Sequence, residues 1–214
     1  MKMTHTDTPH PRFARLYPGL AERADRRGAA EHRSRLLAGL AGRVVELGAG
    51  NGRNFAHYPH SVTEVLAIEP EPTLRSLAER AARGAVVPIT VMPGTADELP
   101  FADGELDAGV ASLVLCTVPD QRRALAELRR VIRPGGELRF YEHVVPERQP
   151  KRALIQLADR SGLWPKLAAG CHPARDTAAA MSAAGFAIER CERIEFRAAA
   201  IEPKIPYILG SARN

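Results

Sequence analysis

The sequence predicts an α/β fold in which a doubly wound, mostly parallel sheet carries helices on both faces. Two observations predict it: short apolar runs alternate with segments of helical apolar period, and short turns join them. A third observation is that the last two apolar runs have no helix between them. Two consecutive strands joined in this way most simply form an antiparallel pair. At 214 residues the chain can bury a full core, so we expect one domain over 1–214.

Seven strands are expected where apolar residues form short runs. The fourth run is nearly unbroken, which is typical of a strand buried on both faces. The first run leads directly into Gly48-Ala49-Gly50-Asn51-Gly52, and the second ends at Glu69-Pro70. The expected strands are residues 43–47, 65–68, 86–91, 106–115, 137–144, 186–196 and 205–212.

Helices are expected where apolar residues recur at helical spacing. Three of them lie between strands, at 73–82, 121–132 and 176–184, and Asp120 is placed as the N-cap of the second. Two further stripes, around 154–158 and 163–167, predict a small helical cap inserted over residues 146–172.

The amino-terminal segment, residues 1–40, is expected to form a helical lid. Phe13, Leu16, Tyr17 and Leu20 share one face at helical spacing, and Pro18 is expected to interrupt the helix. A membrane-surface helix is the alternative for this segment. Tyr17 in the lid and Trp164 in the cap are therefore candidates to line a substrate pocket.

Composition excludes several classes of protein. The net charge is +5, but 30 basic and 25 acidic residues are interspersed, and 26 of the basic ones are Arg. This balance bears on solubility and argues against nucleic acid as the substrate. The three cysteines include no C-x-x-C pair, which fits a reducing compartment. With no apolar segment of membrane-spanning length, we expect a cytoplasmic monomer or homodimer without stable membrane insertion.

The glycine-rich turn predicts a ligand site, because glycines let the backbone approach a ligand closely. The nicotinamide fingerprint G-x-G-x-x-G needs a third glycine where this chain has Arg53. Glu69, at the end of the neighbouring strand, can accept both hydroxyls of a ribose, and this favours an adenosine-type ligand. The alternatives are glycines that serve only the turn and a solvated loop glutamate.

At this point the sequence resembles the class I S-adenosylmethionine-dependent methyltransferases, whose sheet is Rossmann-like. The residues that carry the resemblance are 45–52, Glu69, 94–101 and 130–136. Within that class the chain looks like the methyltransferase-like 7 group, which is associated with S-methylation of small alkyl thiols. That closer resemblance lies in residues 54–55, 58–59, 113–116, 142–144, 170–171, 175–177 and 206–212. The mammalian members carry a hydrophobic amino-terminal anchor, which is not seen here, so membrane attachment is not implied.

The resemblance implies S-adenosylmethionine as cofactor and assigns its contacts residue by residue. Gly48, Ala49 and Gly50 would pass under the methionine part, with Glu46 near its amino group. Glu69 would hold the ribose, and Ala96 would offer its N–H to the adenine. Many members have Asp where this chain has Thr95, so Asp97 is the alternative adenine partner. The complete implied cofactor set is Glu46, Gly48, Ala49, Gly50, Asn51, Glu69, Pro70, Thr95, Ala96, Ser112 and Leu113.

Methyl transfer needs a base only if the acceptor arrives protonated, and a thiol has a pKa near ~8.5. His143, at the end of the fifth strand, is the candidate base, although it could instead bond to the cap backbone. His172 is a weaker candidate. The resemblance implies a small-molecule methyltransferase with a thiol acceptor; an oxygen or nitrogen acceptor on a small aromatic or natural product is the alternative.

Cys116 and Cys171 fall near the expected pocket. Two soft ligands of this kind can bind a metal or a metalloid such as arsenite. Scattered cysteines are more often small buried hydrophobes, and no further ligand shows a metal-site spacing, so no metal is predicted. The predicted substrate pocket thus comprises Tyr17, Cys116, Trp164, Cys171 and His172.

Overall fold

A computed structural model describes residues 11–147, 149–162, 170–197 and 204–214. Its sheet has seven strands in the order β3-β2-β1-β4-β5-β7-β6, and only β7 runs antiparallel to the others. This confirms the predicted fold class and the antiparallel terminal pair. The strands are β1 Gly42–Leu47, β2 Val62–Ile68, β3 Ile89–Met92, β4 Leu106–Ser112, β5 Ile132–His143, β6 Ala187–Phe196 and β7 Ile205–Arg213.

Six α-helices accompany the sheet within the described ranges. Carboxylates cap three of them: Glu71 accepts the N–H of Leu74, and Asp120 and Asp176 accept amides at the starts of their own helices. The N-cap predicted at Asp120 is confirmed. The helices are α1 Pro11–Ala24, α2 Ala30–Leu37, α3 Pro72–Ala82, α4 Gln121–Val131, α5 Lys151–Arg160 and α6 Thr177–Ala183.

The core lies on both faces of the sheet. Side chains of α4 and α6 pack on one face, together with Val45, Leu66 and Phe140. Side chains of α2 and α3 pack on the other face, with Val44 and Val65. Neighbouring residues of one strand thus point to opposite cores, which explains the apolar runs. The glycine turn, Glu69 and the turn at Leu113 all follow the carboxyl ends of strands, on one edge of the sheet.

Several expected boundaries were wrong, and the second strand begins three residues earlier than expected, at Val62. The third strand begins at Ile89 because Pro88 has no N–H; only its carbonyl joins the ladder, accepting from Val65. The fourth ends at Ser112, since Leu113 adopts φ 59° and turns the chain away. The fifth begins earlier, at Ile132, which pairs with Leu106 before the ladder continues at Glu137.

The amino-terminal helix also differs from expectation. It runs through Pro18 without interruption, because Ala14 and Ala21 on its inner face are buried against the domain and hold the helix in place. The chain then kinks at Gly28, where φ is 124°, before α2. The cap helix expected at 154–158 is α5, whereas the one at 163–167, with Trp164, lies outside the described residues. In the described ranges, no helix is both long and apolar enough to cross a membrane.

Candidate active site

The glycine turn after β1 is shaped by its backbone. Gly48, Gly50 and Gly52 all have positive φ, between 58° and 78°. A Cβ on Gly48 would lie 2.6 Å from the side chain of Val114, so this position also has no room for a larger residue. The turn is tied to β2 by the N–H of Ala49, which donates to the carbonyl of Ile68 at 3.1 Å.

Glu69 lies directly against this turn, as the sequence predicted. Its carboxylate accepts the N–H of Gly50 at 2.7 Å and the N–H of Glu71 at 2.9 Å. The side chain is buried, and desolvation raises its pKa from the ordinary value against the opposing effect of the two amides. The Glu69 carboxylate is therefore a hydrogen-bond acceptor that lies next to the backbone of the glycine turn.

The next segment along this edge of the sheet follows β3. Thr95 and Ala96 are half-buried beyond the strand, and Thr95 bridges back to Glu98. Pro70 is exposed next to Glu69. Ala96 packs against the core cluster beneath it. These residues therefore stand along one edge of the sheet with Glu69, where the resemblance places the adenine.

Tyr17 of α1 lies over the glycine turn. A Cβ on Gly50 would be 3.1 Å from its ring and 3.4 Å from its hydroxyl. Burial raises the pKa of the Tyr17 phenol, and the nearby Arg33 opposes that shift. The structure thus places this predicted pocket residue on the glycine turn, on the cofactor side of the edge.

Glu46 sits at the centre of a buried polar network. Its two oxygens accept from the amide of Asn54 at 2.8 Å and the hydroxyl of Tyr58 at 2.7 Å. Burial raises the pKa of Glu46 to about 7. The resemblance implied a contact with the amino group of the methionine; here both oxygens are already engaged within the protein.

Arg33 is a site residue that sequence reasoning missed. It is buried, donates to Asn54 at 2.8 Å and to Ser112 at 3.4 Å, and pairs with Asp25 at 3.2 Å. The guanidinium therefore stands between the segment that follows the glycine turn and the end of β4. It comes from the segment expected to form the lid, and nothing in the local pattern around it signals a partner 79 residues away.

The turn after β4 is held by a second buried carboxylate. Glu142, which is fully buried, accepts the N–H groups of Val114, Leu115 and Cys116 at 2.9–3.1 Å. This turn contains Leu113, the one non-glycine residue with positive φ in the described chain, and its N–H donates to the carbonyl of Tyr141 at 2.7 Å. A strained residue of this kind persists only where its surroundings hold it.

Three of the predicted residues meet beyond this turn. Nδ1 of His143 lies 3.7 Å from Sγ of Cys116 and 3.5 Å from Sγ of Cys171. Both cysteines are buried, and the pKa of the Cys116 thiol is raised well above its ordinary value by Cys171 and by burial. In contrast, the His172 ring turns to Asp159 of α5, 3.0 Å away. The expectation that the two cysteines are buried was correct. The structure also places both of them next to the ring of His143.

Comparison with known proteins identifies the class. Residues 45–140 match the family model described as a methyltransferase domain. Together with the fold and the glycine turn beside Glu69, this shows that the chain belongs to the class I S-adenosylmethionine-dependent methyltransferases, near the thiol S-methyltransferases.

The similar proteins include two mammalian enzymes. The chain is 36% identical to thiol S-methyltransferase TMT1B of Homo sapiens over 164 residues, which cover 73% of this chain and 66% of that protein. It is 36% identical to TMT1B of Mus musculus over 148 residues, or 66% of this chain and 59% of that protein. The chain thus spans about three fifths to two thirds of these relatives.

A solved structure shows the same fold. It is a methyltransferase from Thermotoga maritima, described as a possible histamine N-methyltransferase, with a TM-score of 0.68 and 21% identity. The match covers 94% of this chain and 96% of that one. The likeness extends over nearly the whole sheet and its helices.

Proposed function

We propose that the protein transfers the methyl group of S-adenosylmethionine to a small molecule, with a thiol as acceptor. The observation that carries this proposal is the buried Glu69 carboxylate on the Gly50 amide, at the carboxyl ends of β1 and β2. β1 lies between β2 and β4, where the strand order reverses, and ligands of open α/β sheets bind at such a point. Membership of the family supports the same cofactor.

The residues around the turn fit that cofactor. Oδ1 of Asn51 is buried and has no hydrogen-bond partner in the described part of the chain, which leaves it for a donor on a ligand. Glu69 would hold the ribose hydroxyls, Ala96 the adenine, and Gly48 to Gly50 the methionine part. The buried Arg33 would face the cofactor's carboxylate. When bound, the cofactor supplies a methyl group already activated on a sulfonium.

The protein's own tasks are to exclude water, orient the acceptor and remove its proton. Tyr17 lies on the glycine turn and shields it from solvent. On the acceptor side, His143 stands at the end of β5 among two soft sulfur atoms. We assign to His143 the activation of the acceptor thiol, and to the turn held by Glu142 the shape of its pocket. In-line placement of acceptor and methyl at ~3–3.5 Å is the main source of rate in such a transfer.

The thiol acceptor rests on two supports. The human and mouse relatives are named thiol S-methyltransferases. On the acceptor side, the imidazole of His143 stands at the end of β5, and an imidazole can take the proton of a thiol, whose ordinary pKa is ~8.5. We also propose that the protein is a cytoplasmic monomer or homodimer. We propose that it does not act on nucleic acid, because its basic and acidic residues are interspersed.

A panel of acceptors tests this function. The purified protein is given methyl-labelled S-adenosylmethionine with small alkyl thiols, phenols, amines or tRNA. We expect label in the thiols. Label only in phenols or amines would overturn the thiol acceptor, and label in tRNA would overturn the small-molecule class. Calorimetry with S-adenosylhomocysteine and with NAD tests the cofactor separately; binding of NAD alone would overturn the proposal as a whole.

A further inference from the structure

We propose that Cys116, His143 and Cys171 form a zinc site with one coordination position left for the sulfur of the substrate. The inference about the metal stands on the cluster itself, and only its use of a thiol substrate rests on the proposed function. It departs from our expectation that no metal is bound, which came from sequence spacing alone.

The separations between the donor atoms match those of a zinc site. Zinc bonds of about 2.3 Å to sulfur and about 2.0–2.1 Å to nitrogen place tetrahedral S and N ligands about 3.6 Å apart. The two observed S···N separations are 3.7 Å and 3.5 Å, and all three donor atoms lie within 4.8 Å of one another. In the part of the chain that the structure describes, no other three such side chains come as close.

Each ligand is held by its own support. Glu142 fixes Cys116 through its N–H at 3.1 Å, and the ring of His143 packs 4.4 Å from that of Tyr207. The segment bearing Cys171 is tied to the same turn, because the N–H of His172 donates to the carbonyl of Cys116 at 2.7 Å. Partners of this kind orient metal ligands before the metal binds.

The charges also balance. Two thiolates and a neutral imidazole neutralise a divalent cation, so the assembled centre can be buried without net charge. Because zinc binds cysteine as the thiolate, metal binding releases protons, and occupancy will fall as the pH is lowered.

Three protein ligands are the pattern of zinc sites that keep a position for substrate. Oγ1 of Thr117 lies 3.6 Å from Sγ of Cys116, and the buried carboxylate of Glu142 interacts with the same thiol. A small thiol that coordinates there gives its proton to solvent and is held as thiolate. Its sulfur lone pair then forms the new S–CH₃ bond, while the bond from the methyl to the sulfonium breaks and leaves its electron pair on that sulfur. His143 activates the acceptor as a ligand in this scheme.

Metal binding is tested without any cofactor. The full chain, reduced and stripped of metal, is loaded with Zn²⁺ or Co²⁺ and dialysed, and bound metal is counted by mass spectrometry. We expect one metal per chain, a sulfur-to-cobalt charge-transfer band, and a change in the visible Co²⁺ spectrum when 2-mercaptoethanol is added. Cys116→Ser and Cys171→Ser should each weaken binding by about 100-fold, whereas Cys191→Ser, at an exposed cysteine, should not.

A second readout protects the test against variants that fail to fold. In the wild-type protein, Zn²⁺ should shield Cys116 and Cys171 from alkylation but leave Cys191 reactive. Metal lost in Cys191→Ser, equal alkylation with and without Zn²⁺, or a Cys116–Cys171 disulfide with no metal bound by the reduced protein would each overturn the inference. Calorimetry with S-adenosylhomocysteine on the same samples separates the two proposals, since cofactor binding without metal defeats only the zinc site.

Discussion

The edge formed by the carboxyl ends of the strands has two halves, and in each half a buried glutamate holds a turn through backbone N–H groups. On the cofactor side, buried Glu69 holds the glycine turn through the N–H of Gly50; on the acceptor side, buried Glu142 holds the turn after β4 through three N–H groups. The first turn presents backbone to its ligand, whereas the second brings side chains together. A backbone cradle suits a cofactor shared by a whole family, and side chains suit an acceptor that differs between members.

The largest expected effect tests the acceptor side. His143→Ala should lower thiol turnover by about 100-fold or more, as is usual when an activating group is removed, and leave S-adenosylhomocysteine binding within about twofold. His172→Ala is the matched control, because that ring is bound to Asp159. Steady-state kinetics and calorimetry measure both. Equal losses in the two variants would remove His143 from its proposed role.

Glu142→Ala tests whether the second turn depends on its carboxylate. Three amides would lose their acceptor, and at ~1 kcal/mol or more each the free energy of unfolding should fall by about 3 kcal/mol or more. Urea denaturation monitored by circular dichroism measures it. Glu142→Gln, which keeps one oxygen, should lose less. A loss below about 1 kcal/mol in the alanine variant would show that the amides find other partners.

Glu46 should make stability depend on pH. Its pKa is about 7 in the folded protein against an ordinary 4.5, so the folded state holds the proton more tightly. The free energy of unfolding should therefore fall as the pH rises from about 4.5 to 7, by about 3 kcal/mol from this group. Glu46→Gln should remove this slope, as seen in the difference between the two urea-denaturation profiles. Parallel profiles would contradict the shift.

The cofactor side is tested by Glu69→Gln. Loss of a charged acceptor should weaken S-adenosylhomocysteine binding by about 10- to 100-fold, since hydrogen bonds to charged groups contribute ~1.5–3 kcal/mol. Glu64→Gln, on the strand that precedes Glu69 and paired with Arg43, is the control. Calorimetry measures both variants. Unchanged binding in Glu69→Gln would separate this residue from the cofactor.

The sequence was sufficient for the fold and for the position of Glu69 beside the glycine turn. Alternating apolar runs and helical stripes predicted all seven strands, and the Gly48–Gly52 turn with Glu69 marked one edge of the sheet. The signal was readable because a strand and the turn that follows it are contiguous. Boundaries were less accurate where one residue changes the backbone, as Leu113 does with its positive φ.

Contacts between distant segments could not be read in the same way. Arg33 reaches Ser112 across 79 residues, and His143 meets Cys116 and Cys171 across 27 and 28. Each residue was visible in the sequence, but only the packing of the turn after β4 against the end of β5 shows that the two cysteines share a neighbour. Their grouping depends on tertiary structure, which spacing along the chain does not indicate.

Val114 lies close enough to Gly48 that a methyl group could not be added between them. The cofactor turn and the acceptor turn are therefore in mechanical contact. Any acceptor that displaces Val114 must also alter the affinity for the nucleoside, and by linkage the nucleoside must alter the affinity for that acceptor by the same factor.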